Sequence, residues 1–159
     1  MERVDVYFGL GSNQGDRAGN IRQAVALMDE AFGRHKALSA LLETEAWGFQ
    51  GPPFLNACVR YRIPRKGSPQ EHATEILHQV KSLEKALGRA DEPLFDAKGK
   101  RLYQDRPIDI DILYYGTQTI NTEGLTIPHP RIAERDFVLV PLREVAKQEL
   151  KRSFPEINA

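Results

Sequence analysis

Cysteine is almost missing from this chain: Cys58 stands alone, so no disulfide can form within it. Its setting, Phe54-Leu-Asn-Ala-Cys-Val-Arg-Tyr61, suits a small strand residue better than a reactive nucleophile. An excess of either charge is missing too. Lys plus Arg come to 22 and Asp plus Glu to 22, which leaves no global field to recruit nucleic acid or an anionic membrane. Any phosphate chemistry must come from local constellations. No apolar run approaches the roughly 20 residues of a membrane span. The N-terminus leads straight into Val4-Asp-Val-Tyr-Phe8, without the basic and apolar regions of a leader. A cytoplasmic, soluble protein is expected, with no nucleic-acid or membrane partner. Several reaction signatures are also missing: the Gly-x-x-x-x-Gly-Lys loop, the dinucleotide glycine fingerprint, a defensible Ser/His/Asp spacing and a Cys/His zinc cluster. Gly9-Leu-Gly-Ser-Asn13 is only superficially like a phosphate loop.

What is present fits one domain over residues 1–159, long enough to bury a core without covalent staples. Val4 to Leu10 reads as a buried strand running into a glycine-bearing turn. Ile21, Val25, Met28 and Phe32 recur at three- and four-residue spacing, so the pattern predicts an amphipathic helix over about 17–32. Ala37 to Trp47 and Phe54 to Ile63 are the next strand candidates, joined by the loop-like Gly48-Phe-Gln-Gly-Pro-Pro53. Ser68-Pro69 with Glu71 opens a second helix that Gly88 ends. Arg89 to Gln104 shows no usable periodicity and reads as a long, mobile loop. A strand from Pro107 to Tyr115 follows, then a turn at Gly116, the bend Leu125-Thr-Ile-Pro-His-Pro-Arg131, a short helical turn and the apolar run Phe137 to Leu142. Strand, helix, strand, strand, helix, strand is the split βαβ order of a ferredoxin-like α+β sandwich: an antiparallel sheet with both helices on one face, here with a C-terminal extension. A ligand would sit on the open face.

Asp105-Arg-Pro-Ile-Asp-Ile-Asp-Ile-Leu-Tyr114 carries the strongest chemical signal. Alternation in an extended chain puts Asp109 and Asp111 on one face and Ile108, Ile110 and Ile112 on the other. Two carboxylates so close repel, and a shared cation relieves them, although alternating Asp is also how the wet face of an edge strand looks. Arg106 stands just ahead, suited to a phosphate oxygen. Arg89 and the basic run Lys98-Gly-Lys-Arg101 lie on the loop leading to the pair, as closure over a polyphosphate requires. Glu84 sits beside the apolar stripe of the second helix, where a solvated glutamate is the common alternative. Pro128 and Pro130 restrict the backbone around His129, either to present a proton donor or simply to cap a turn. Arg135 is a second phosphate clamp or a surface ion-pair partner. Trp47, Phe54 and Phe137 could stack a flat ring or pack in the core.

These residues together resemble the 6-hydroxymethyl-7,8-dihydropterin pyrophosphokinase family of folate biosynthesis. The likeness rests on Gly9-Leu-Gly-Ser-Asn13, Phe54-Leu-Asn-Ala57, Leu83-Glu84 with Gly88-Arg89, Arg106-Pro-Ile-Asp-Ile-Asp111, Ile127-Pro-His-Pro130 and Arg135-Asp-Phe-Val-Leu-Val-Pro-Leu142, in the family's order. The resemblance implies magnesium-dependent transfer of the β,γ-diphosphate of ATP to the pterin hydroxymethyl group, releasing AMP. It implies that Asp109 and Asp111 hold two magnesium ions and, with Arg89 and Arg106, form the catalytic set. By the same resemblance, Glu84, Arg89, Arg106, Ile112, Thr126, His129 and Arg135 face ATP, while Thr44, Trp47, Phe54, Asn56 and Phe137 face the pterin. A monomer is expected. The chain departs from the family at Tyr103-Gln104-Asp105, where a small pair and often a tryptophan stand, and at Gly124, where some members carry an arginine. Lys100 or Arg101 stands in for a second loop arginine. The rival readings are a palm-like two-metal nucleotidyl transferase, which would need a basic track for its acceptor, and a non-catalytic ferredoxin-like binding module.

Overall fold

In a computed structural model the described residues are 2–44, 53–88, 94–95, 101–102, 107–130, 132 and 136–158, with backbone alone at 94–95, 101–102 and 136. The main sheet is built on β1 (Arg3–Ser12), which lies between β4 (Phe54–Pro64) and β7 (Asp109–Tyr115), antiparallel to both. β2 (Ala37–Leu38) and β3 (Leu42–Thr44) share the far edge of β4. The predicted strand from 37 is therefore two pieces. They part at Ser39, whose hydroxyl takes the Cys58 N–H at 2.8 Å in place of a backbone carbonyl.

α1 (Arg17–Phe32) and α2 (Pro69–Ala86) connect β1 to β2 and β4 to β7 and cover one sheet face, the expected split βαβ arrangement. α1 matches its sequence bounds because the predicted stripe, Ile21, Val25, Met28 and Phe32, is the buried one. Asp16 caps it by accepting from the Gly19 N–H at 3.0 Å. α2 starts where Ser68 and Glu71 exchange hydrogen bonds in a capping box with Pro69 in the first turn, and Leu87 caps its end before Gly88 turns at φ +96. Between sheet and helices lie Val6, Phe8, Leu10, Ala57, Val59, Tyr61, Ile108, Ile110 and Ile112, the inward half of three strands.

The opposite face is only partly open. α3 (Asp136–Val145) and α4 (Gln148–Ser153) pack there over Tyr7, Cys58, Leu113 and Tyr114, giving the sheet a second apolar cluster. The apolar run Phe137–Leu142 thus belongs to a helix, despite Pro141 within it. Arg60 and Lys147 both reach Asp5 at 3.3 Å, and Arg60 also donates to the Val145 carbonyl, tying the end of α3 to the sheet. Two short ladders complete the fold: β5 (Leu94–Phe95) with β6 (Arg101–Leu102), inside the stretch expected to lack structure, and β8 (Ile120–Thr122) with β9 (Leu125–Ile127). Among the described residues no helix is long and apolar enough to cross a membrane.

Candidate active site

The open part of the sheet begins where β1 loses its side chains. Gly11 is in register with Asn56 on one neighbour and Asp109 on the other; Gly9 is in register with Cys58 and Asp111. Residues directly opposite one another across an antiparallel ladder share a face. Asn56, Asp109 and Asp111 therefore all stand on the face away from α1 and α2, with only glycine hydrogens between them. Two strand spacings separate Asn56 from Asp109, about 10 Å. A Cβ at Gly11 would come within 3.3 Å of Asn56 Oδ1 and 3.5 Å of Phe54 Cδ1, so the glycine keeps this floor low.

Asn56 is nearly buried, and its amide donates to Thr44 Oγ1 at 2.8 Å and the Leu42 carbonyl at 3.2 Å. Those bonds fix the flip of the amide and leave Oδ1 directed over Gly11. Phe54 pairs with Thr44 two positions further out, half-buried. Cys58, two residues along β4, lies under the first turn of α3, its Sγ 3.7 Å from the Val138 carbonyl. Phe137, the neighbour of Val138 in α3, is half-buried. Burial pushes the Cys58 thiol well above its ordinary range, with Glu144 adding to the effect, so it is a packing residue as expected.

On the acid side, Asp109 and Asp111 are half-buried while Ile108, Ile110 and Ile112 point into the core, the alternation expected of this strand. Behind them Glu84 is nearly sealed, at 2% exposure, and accepts the Ile110 N–H at 2.7 Å. Lys81 approaches its other oxygen at 3.2 Å. It is no solvated helix glutamate; it grips the peptide between the two aspartates. His129 is brought alongside, its N–H donating to the Leu113 carbonyl at 3.1 Å. The Ile112 side chain lies in the helix-side core, and Thr126 is exposed on β9. Trp47, Arg89, Tyr103, Arg106 and Arg135 lie outside the described residues, as do Lys98 and Lys100.

Two α1 residues that the sequence left unassigned border the site, Arg17 and Asn20. Asn20 donates to the Ser12 hydroxyl at 3.2 Å and the Gln14 carbonyl at 2.8 Å, holding the turn that leaves β1. Polar residues in a helix's first turns are common enough that no sequence signal marks these two.

Residues 7–147 match the sequence profile described as 7,8-dihydro-6-hydroxymethylpterin-pyrophosphokinase (HPPK). The chain belongs to the HPPK family. It is 42% identical over 143 residues to the 2-amino-4-hydroxy-6-hydroxymethyldihydropteridine pyrophosphokinase of Porphyromonas gingivalis, covering 89% of this chain and 90% of that protein. The Bacillus subtilis protein of the same name is 36% identical over 149 residues, covering 92% and 81%. A solved HPPK-DHPS in complex with substrates shares the fold, with a TM-score of 0.65 at 13% identity over 99% of this chain; the chain spans 43% of that longer one. The HPPK resemblance read from six motifs thus holds along nearly the whole sequence, and the helix-plus-antiparallel-sheet fold with it.

Proposed function

We propose that the chain transfers the β,γ-diphosphate of ATP to the hydroxymethyl group of 6-hydroxymethyl-7,8-dihydropterin, giving the pterin diphosphate and AMP in folate biosynthesis. The observation that carries the proposal is the row Asn56, Gly11, Asp109: a fixed amide at one end of a glycine floor and a carboxylate pair at the other. Asn56 and Thr44 read the amide edge of the pterin, Phe54 and Phe137 take its faces, and Trp47 flanks it.

Asp109 and Asp111 fit magnesium by their donor chemistry. Mg2+ is bound through one or two carboxylates, keeps several waters and takes substrate phosphate oxygens, and among the described residues no third His, Cys, Asp or Glu crowds the pair. Two ions are assigned to them. When bound, magnesium neutralises charge on the transferring group and lowers the pKa of the attacking hydroxyl. Arg89, Arg106, His129 and Arg135 hold phosphates or ribose, and Ile112 and Thr126 complete the ATP side. Glu84 contributes from behind by keeping the aspartate strand in place. No side chain need form a covalent intermediate, because positioning and electrostatics suffice for phosphoryl transfer. We take residues 1–159 as one domain working as a cytoplasmic monomer without nucleic-acid or membrane partners.

The test is product identity. Incubation with ATP, magnesium and the hydroxymethyl pterin should yield AMP and the pterin diphosphate, and only when all three are present; release of free pyrophosphate or of ADP instead refutes the reading. Asp109→Ala should abolish turnover with an unchanged circular dichroism spectrum. Retained activity would remove the metal role.

A further inference from the structure

Arg17 opens α1 and stands outside every group assigned above. Its Nη1 donates to the Pro53 carbonyl at 2.9 Å and its Nη2 to Glu43 Oε2 at 3.2 Å. These acceptors lie on the two sides of the β3–β4 connection: Glu43 immediately precedes Thr44, and Pro53 immediately precedes Phe54. Thr44 and Phe54 form the last rung of that ladder, and Thr44 in turn holds the Asn56 amide. One rigid, planar guanidinium therefore ties both stems of the connection to a helix end, a geometry a lysine ammonium cannot copy. Asn20, one turn further along, holds the end of β1 beyond Gly11. The start of α1 thus frames two sides of the glycine floor.

We infer that Arg17 is a positioning residue for the pterin, setting the separation and tilt of Thr44 and Phe54 through its bridge between Glu43 and Pro53. The inference rests on the proposed pterin site. Magnitude separates it from a plain stability role. The Glu43 side chain is 57% exposed, and an ion pair so open to water adds little to global stability. A misplaced ring-binding rung, in contrast, weakens each contact made through it.

Arg17→Ala, Arg17→Lys, Glu43→Ala and the double alanine variant would be titrated with the hydroxymethyl pterin, following its fluorescence, and assayed for KM of both substrates. Arg17→Ala should raise the pterin Kd and KM about ten-fold while the ATP KM moves less than about two-fold. Arg17→Lys should fall between. Glu43→Ala should show a smaller loss, non-additive with Arg17→Ala because both act through one bridge. Unchanged pterin constants, or pterin and ATP constants that rise together, overturn the inference. Should Arg17→Ala fail to fold, Glu43→Ala decides on the same criterion. Wild-type protein that neither binds the pterin nor forms AMP defeats the proposed function; active wild type with an indistinguishable Arg17→Ala defeats the bridge alone.

Discussion

Replacing Glu84 with alanine tests the grip on the aspartate strand. Among the described residues β7 is an edge of the main sheet, and the Ile110 N–H on that edge is taken by Glu84 Oε2 at 2.7 Å in a site with 2% exposure. Alanine leaves that donor buried without its acceptor, at a cost of about 1–3 kcal/mol. The Lys81 contact adds little, since the lysine is 49% exposed and screened by solvent. Removing a desolvated carboxylate offsets part of the loss. The net expectation is about 1–2 kcal/mol, read in urea as a lowered midpoint at unchanged m. Glu84→Gln keeps a carbonyl oxygen at the same reach and should lose roughly half as much, since charge assistance about doubles a hydrogen bond. Amide exchange gives the local readout: Ile110 should lose protection in Glu84→Ala more than its neighbours in β7 do. A variant within about 0.5 kcal/mol of wild type, with Ile110 protection intact, would refute the reasoning. Because Ile110 sits between Asp109 and Asp111, the alanine variant should also need more magnesium for half-maximal AMP formation than the glutamine variant does.

Two further outcomes follow from the core. Burial pushes the Asp29 carboxyl up, but hydrogen bonds from Tyr61 at 2.6 Å and from His35 outweigh it, and the group settles below its ordinary 3.8. An acid depressed in the folded state stabilises above its unfolded value and loses that contribution as pH falls through the folded one. Tyr61→Phe should therefore cost about 1.5–3 kcal/mol at pH 7, and the gap to wild type should narrow below pH 3.8 in thermal melts; a pH-independent gap would contradict the assignment. Native Cys58 should resist a thiol reagent at neutral pH and react once urea exposes it, whereas labelling of the folded protein at the free-thiol rate would contradict its burial.

Much of this was legible from periodicity. The stripe of α1, the cap of α2 and the alternation of Asp109 and Asp111 against three isoleucines are local patterns with local causes, and each element lies where its pattern put it. The rest depends on neighbours distant in sequence. Ser39 interrupts an otherwise continuous edge strand because its hydroxyl meets Cys58, 19 residues on. Phe137 to Leu142 is short and apolar enough for strand or helix; Pro141 removes a helical donor, yet burying Leu139, Leu142 and Val145 on the sheet outweighs the loss. Glu84 next to an apolar stripe looks like any surface glutamate until β7 is laid against α2. The low floor of the site was written in Gly9 and Gly11, but only the strand register says what stands on either side of them.

That register has one interruption. Tyr7 faces Tyr114 and Phe8 faces Ile112, so Leu113 is an extra residue in β7, and both Leu113 and Tyr114 fall on the side of α3 and α4. The strand is in effect spelled in two frames. In the first, odd-numbered residues face away from α1 and α2; in the second, the odd-numbered Tyr115 faces those helices, bonded to His72 at 2.7 Å, while Tyr114 packs on Phe154. The frame shift also turns the Leu113 carbonyl toward His129. Deleting Leu113 would restore unbroken alternation with Ile112, Tyr114 and Tyr115 on their present sides, and would take one apolar side chain out of the cluster under α3 and α4. The irregular residue sets two consecutive side chains, Leu113 and Tyr114, against the C-terminal helices, at the end of the strand away from Asp109 and Asp111.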